Sequence, residues 1–130
     1  MVCLDTSFVI DLLRGKEEVR SLKEELDRME TTIFLTTPTV MELWSGACLS
    51  QAPEREKEKI NALWHSFSIL PVDKESAQEA GEIEAELIQK GQIIETEDLF
   101  IAGIARSRGE KVVTRDEHFA RIKGLKVWKY

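Results

Sequence analysis

Val2-Cys3-Leu4-Asp5-Thr6-Ser7-Phe8-Val9-Ile10-Asp11-Leu12-Leu13 opens the chain with an apolar run, a polar turn and a second apolar run closed by Gly15. Three apolar residues followed by helix-capping residue types predict a buried strand leading into a helix. The next apolar members, Val19, Leu22, Leu26 and Met29, recur at spacings of 3, 4 and 3, which predicts an amphipathic helix from Glu17 to Glu30. Ile33-Phe34-Leu35 then predicts a second strand. Thr37-Pro38 predicts a helix with Thr37 as its cap and proline in its first turn, continuing through Val40, Leu43, Trp44 and Ala47.

The alternation continues to the end of the sequence. Gln51-Ala52-Pro53 breaks the third helix, and a charged helix is expected to run on to about His65. Ser68 to Pro71 reads as a third strand, and Asp73 as the cap of a long helix ending at Gly91. Thr96 is expected to cap a helix that Gly109 closes. Lys111 to Thr114 is a strand, Glu117 to Ile122 a short helical turn, and Leu125 to Trp128 a last strand. Strands separated by helices predict an α/β fold, a three-layer α/β/α sandwich around a central, mainly parallel sheet. At 130 residues, without repeat, linker or low-complexity tract, residues 1–130 are expected to form one domain.

Composition narrows the class. The chain is 42% hydrophobic and 32% charged, which argues against disorder. Two cysteines, Cys3 and Cys48, do not make a disulfide scaffold, and with His65 and His118 they show no paired zinc spacing. No signal-peptide pattern and no membrane-length apolar run is present, so a cytoplasmic protein is expected. There is no Walker loop and no glycine-rich dinucleotide motif. The net charge of -6 is uneven: residues 106–130 hold 8 basic and 3 acidic side chains, a local +5. Such a stripe, including Arg115, can guide a polyanion when it borders a working site, and is otherwise an ordinary solvated surface.

In an open α/β sheet, ligands bind beyond the carboxyl ends of the strands. Asp5 follows the first strand and Asp116 follows Lys111–Thr114. Asp98 lies in the first turn of the Thr96 helix, and Glu42 lies one turn into the Pro38 helix, among the small neighbours Thr39, Ser45 and Gly46. Singly, each has an ordinary explanation: Asp5 and Asp116 as helix caps, Asp98 as a first-turn acid, Glu42 as a solvated helix residue. Together at one sheet edge, four carboxylates would repel one another unless a hard divalent cation, Mg²⁺ or Mn²⁺, held them. Glu95 and Glu97 stand beside Asp98 as competitors for its place. His118 reads as a surface histidine, and Trp44, Trp64 and Trp128 as packing residues.

Four segments in this order, Leu4-Asp5-Thr6-Ser7-Phe8-Val9-Ile10, Thr37-Pro38-Thr39-Val40-Met41-Glu42-Leu43, Asp98-Leu99-Phe100-Ile101-Ala102 and Val113-Thr114-Arg115-Asp116-Glu117-His118-Phe119, resemble the PIN domain. The short form most resembles the VapC toxins of prokaryotic toxin–antitoxin pairs. One departure is Ser7, where many relatives carry asparagine. The resemblance implies a metal-dependent endoribonuclease with Asp5, Glu42, Asp98 and Asp116 as its acidic quartet, Asp5 and Asp98 being the direct Mg²⁺ or Mn²⁺ ligands. It also implies an RNA substrate, a homodimer and an antitoxin whose C-terminal segment blocks the site.

Three other classes share parts of this pattern. A phospho-acceptor signalling domain would want an acidic pair at the end of the first strand, where only Asp5 stands. A metal-free PIN-like binding module would have lost part of the quartet, all of which is present. A PIN nuclease of RNA processing shares the quartet, and the compact length fits the toxin form better.

Overall fold

The computed structural model describes residues Met1–Tyr130. Five strands form one sheet: β1 (Val2–Leu4), β2 (Ile33–Thr36), β3 (Ser68–Leu70), β4 (Lys111–Thr114) and β5 (Lys126–Lys129), in the spatial order β3-β2-β1-β4-β5. Every pairing is parallel. Six α-helices connect or flank them: α1 (Thr6–Leu13), α2 (Glu17–Arg28), α3 (Thr37–Cys48), α4 (Pro53–Leu63), α5 (Lys74–Gln89) and α6 (Thr96–Arg108). Short 3₁₀ turns cover Trp64–Ser66 and Glu117–Arg121. No helix is long and apolar enough to cross a membrane.

Alternation of side chains along the strands builds the three layers. Val2, Leu4, Ile33, Leu35 and Val113 point to one face and pack with Phe8, Val9, Val19, Leu26, Leu43 and Ile60 from α1 to α4. Cys3, Phe34 and Val112 point to the other face and meet Ile83, Leu87, Ile101, Ile104 and Phe119. Burial on both faces explains why β1, β2 and β4 read as unbroken apolar runs rather than alternating ones. Fully buried Phe8, Phe34 and Phe119 contribute about 1.5–3 kcal/mol each by leaving water. Trp44, Trp64 and Trp128 pack at the edge of the α1–α4 core, as the sequence suggests.

Two caps differ from the expected ones. Thr36, not Thr37, caps α3: it is still extended, and its hydroxyl accepts from the Thr39 N–H at 3.4 Å. The strand therefore feeds the helix without a loop, which leaves the Thr37 hydroxyl free to accept from the Val72 N–H. Helix α6 is preceded by Glu95 rather than capped by Thr96, and no side chain caps it. Asp73 forms the expected cap on α5, as a full capping box with Ser76. Gly109 ends α6 in the left-handed conformation. Gly103 lets α6 approach α5 closely, since a Cβ there would fall 2.6 Å from the Ser76 carbonyl oxygen.

Strand β1 sits at the centre, with β2 on one side and β4 on the other. The chain leaves β1 toward β2 and β3, then crosses back to β4. That reversal places the topological switch point, where open α/β sheets bind ligands, between the carboxyl ends of β1 and β4.

Candidate active site

Asp5 stands at that point. Its N–H donates to the Val113 carbonyl, extending the β1–β4 ladder by one residue, while its own carbonyl accepts from the Phe8 N–H in the first turn of α1. The side chain is 3% exposed and makes no cap bond to the helix, so it is not the ordinary N-cap that the sequence also allows. Its Oδ2 instead accepts from the Ser7 hydroxyl at 2.7 Å and the Thr114 hydroxyl at 2.8 Å. Ser7, the departure from the family pattern, thus orients Asp5 directly. Thr114 Oγ1 in turn accepts from the Asp116 N–H at 2.9 Å, so one hydroxyl ties the ends of β1 and β4 together.

Asp116 follows β4 and caps the 3₁₀ turn, accepting from the His118 N–H at 3.0 Å. Glu42 projects from α3 and accepts from the Thr6 hydroxyl at 3.0 Å, which also contacts Thr39 Oγ1 at 2.9 Å. The small residues before Glu42 therefore form a hydroxyl chain linking α1 to α3. Asp98 reaches the same place from the first turn of α6.

The four acids feel one another. Burial, then the charges of Asp5, Asp116 and Glu42, push the Asp98 carboxyl up to about 7. Asp5 is raised by burial against the opposing hydroxyl bonds, and by Asp116. Glu42 is raised by burial, with the charge of Asp5 adding to it. The groups that act on Asp5, Glu42 and Asp98 are hydroxyls, a backbone amide and other carboxylates, so positive charge is in deficit around these three. Glu95 is exposed, and it and Glu97 act on Glu42 through their charge, whereas Asp98 has a carboxylate oxygen within 4.8 Å of ligand atoms of Asp116 and His118.

The tightest grouping is Asp98, Asp116 and His118, whose ligand atoms lie within 4.8 Å of one another. Asp5 and Glu42 stand outside that triplet while acting on it electrostatically. His118, which the sequence suggests is a surface residue, is only half-exposed, and its Nδ1 is buried 3.3 Å from Asp116 Oδ1 without a well-formed hydrogen bond. Its signal in the sequence was the two-residue step from Asp116, which in a 3₁₀ turn folds the side chain back over the carboxylate. Two carboxylates and an imidazole within reach of one point, with two further carboxylates acting on them by charge, fit a divalent cation.

The basic stripe does not persist as one surface. Arg106 is pinned between Glu79 at 2.6 Å and Glu86 at 3.3 Å and is only 13% exposed. Lys129 pairs with Glu117. Lys111 and Lys126 begin their strands, at the sheet edge opposite the acids. Of these residues, Arg115 alone adjoins the pocket in the chain.

A model of the PIN domain matches residues 2–125. The chain belongs to the PIN domain family. This PIN chain is 35% identical over 124 residues to the tRNA(fMet)-specific endonuclease VapC of Shigella flexneri, covering 95% of this chain and 92% of that one. Its fold superposes on the DNA-bound VapBC of Salmonella typhimurium with a TM-score of 0.91, at 33% identity over 99% of this chain and 98% of that one. The promoter-DNA-bound VapBC2 of Rickettsia felis gives a TM-score of 0.93 at 26% identity, covering 100% and 99%. The parallel five-stranded α/β/α architecture expected from the sequence is thus that of the PIN domain.

Proposed function

We propose that residues 1–130 form a single nuclease domain, a metal-dependent endoribonuclease that is the toxin of a toxin–antitoxin pair. The observation that carries this reading is the grouping of Asp98 and Asp116 with His118, with Asp5 and Glu42 near enough that their charges add to burial in pushing the Asp98 carboxyl up to about 7. Similarity to VapC endonucleases and to VapBC complexes supports the toxin assignment. RNA as substrate sets the place of action in the cytoplasm.

Asp5 and Asp98 are the residues we assign as direct ligands of Mg²⁺ or Mn²⁺, with Glu42 and Asp116 completing the outer coordination or orienting the attacking water. The bound cation supplies positive charge for the phosphodiester oxygens and acidifies water. Ser7 and Thr114 hold Asp5 in one orientation by donating to a single oxygen, leaving Oδ1 free of their hydroxyls. Thr6 does the same for Glu42 Oε1. Thr114 also fixes the Asp116 backbone, so the two strand-end acids move as one unit. His118 closes the side of the pocket next to Asp116.

A cleft of about 510 Å³ between α1, α3 and α4 begins at Glu42 and is floored by Ile10, Leu13, Leu43 and Ile60. A cleft with an apolar floor and charged walls (Arg14, Glu56 and Lys59) that reaches Glu42 suits an antitoxin segment that covers the pocket. A homodimer is part of the same proposal, in keeping with apolar side chains such as Ile88 and Ile93 left exposed at the end of α5.

The test is cleavage of labelled cellular RNA, tRNA included, by the purified chain with Mg²⁺ or Mn²⁺. Cleavage is expected, and EDTA or Asp5→Ala should abolish it. Undiminished cleavage in EDTA would remove the metal from the proposal.

A further inference from the structure

We propose that Arg115 and Lys16, seated on the two oxygens of the buried Asp11 carboxylate, form a binding site for RNA backbone phosphate at the rim of the acidic pocket. The inference rests on the reading of the chain as a ribonuclease and adds to it the element that an acidic protein needs in order to hold a polyanion.

Asp11 lies on α1, six residues beyond Asp5, and is 1% exposed. Lys16 Nζ is 3.0 Å from its Oδ1, and Arg115 Nε is 3.0 Å from its Oδ2. The Tyr130 hydroxyl donates to the same Oδ2 at 3.2 Å. A carboxylate this deep needs compensation, but two cations are one more than neutrality requires. Both cations stay half in solvent, Lys16 at 50% and Arg115 at 51% side-chain exposure. Arg115 approaches Asp11 through Nε as an ion pair, which leaves its two terminal nitrogens to donate to a ligand, and an arginine fork suits phosphate. The cluster thus presents a surplus positive charge to solvent beside a pocket that is otherwise strongly acidic.

Its position is built rather than incidental. Arg115 is bonded in the chain to Asp116. Tyr130 donates its N–H to the Thr114 carbonyl, sets its ring edge-on against Phe8 at 5.2 Å, and turns its hydroxyl toward Asp11 and Ser7. Ser7 is the residue that orients Asp5. The cations are therefore fixed to the same two strand ends as the acids. Arg106 provides the contrast: two carboxylates enclose it, it is nearly buried, and nothing of its charge is left for a ligand. Asp11 acts here through Arg115 and Lys16, and is a positioning residue.

The experiment measures RNA affinity apart from cleavage. The full chain carrying Asp98→Asn, in EDTA, is titrated against an RNA that the parent cleaves, between 50 and 300 mM KCl. Adding Arg115→Gln or Lys16→Gln should weaken binding several-fold at low salt and reduce the slope of log K against log salt by roughly 0.7 for each phosphate-binding cation removed. Arg115→Lys should restore the slope but only part of the affinity. Asp11→Asn, which keeps both cations but unseats them, should weaken binding with the slope retained. Unchanged affinity and slope in both glutamine variants would overturn the proposal, and a lowered melting temperature alone would make the pair purely structural. Since both positions are exposed, these variants report even where Asp11→Asn folds poorly. A parent that cleaves RNA beside unaffected glutamine variants defeats this inference alone; a parent that neither cleaves nor binds RNA defeats the nuclease reading with it.

Discussion

Asp5, just before helix α1, and Asp11, within it, are two buried carboxylates that the protein treats in opposite ways. Asp11 receives a lysine, an arginine and a tyrosine hydroxyl. Asp5 receives two hydroxyls and has further acids for neighbours. Burial of a carboxylate is tolerable when cations and hydrogen bonds offset the lost hydration. Where they are withheld, the folded state carries an electrostatic deficit that only an added positive charge can relieve. The difference separates an acid whose charge is already met within the protein from the acids proposed to hold a cation.

The largest expected contrast is in activity. Asp98→Asn should lower RNA cleavage by ~10²–10³-fold or more, because it removes charge that positions several kcal/mol of transition-state stabilisation. Asp11→Asn should leave kcat nearly intact and raise KM, as read in single-turnover and steady-state assays side by side. Equal losses of kcat in the two variants would erase the distinction between the clusters.

Cation-dependent stability sharpens the same comparison. Adding Mg²⁺ or Mn²⁺ to the parent at about a hundred times its Kd should stabilise the fold by about 2.7 kcal/mol, visible as a higher melting temperature. Asp98→Asn should abolish most of that response, and Asp11→Asn should keep it. In EDTA the order reverses: Asp11→Asn should lose about 2 kcal/mol, roughly 8 °C in melting temperature, while Asp98→Asn should melt above the parent at neutral pH.

The smallest effect is the pH dependence of the metal-free protein. With the Asp98 carboxyl raised from its ordinary 3.8 to about 7, the folded chain keeps a proton that the unfolded chain has already released between those values. Stability therefore falls as pH rises through that window and levels off above it. Allowing for partial exposure, the fall should be about 1 kcal/mol between pH 5 and 8. Thermal melts of the parent in EDTA should show it, and Asp98→Asn should flatten it. A parent whose melting temperature climbs over that range would mean that Asp98 is not in charge deficit.

Much of the fold is legible in the sequence. Val2-Cys3-Leu4 and Val112-Val113 had to be interior strands because apolar runs so short cannot build a helix of their own, and Pro38, Gly15 and Gly109 bounded the helices. The expected caps of α3 and α6 each fall one residue off, because Thr36-Thr37 and Glu95-Thr96 offer adjacent polar side chains and only backbone direction chooses between them. Asp5, Glu42, Asp98 and Asp116 stand out by their positions at strand ends and first turns. His118 does not, since a lone histidine carries no periodic signal and its inward turn depends on a 3₁₀ geometry. The basic segment after residue 105 looks continuous, yet a run along the chain says nothing about which lysines share a sheet edge.

The order of strands and helices and the two-sided burial of the sheet were written in local pattern, because side-chain periodicity and capping are short-range effects. Which carboxylate is neutralised and which is left wanting charge was decided only in three dimensions. Arg115 and Tyr130 lie at the far end of the chain from Asp11, and the electrostatics of a buried group depend on what surrounds it in space rather than on what precedes it in sequence.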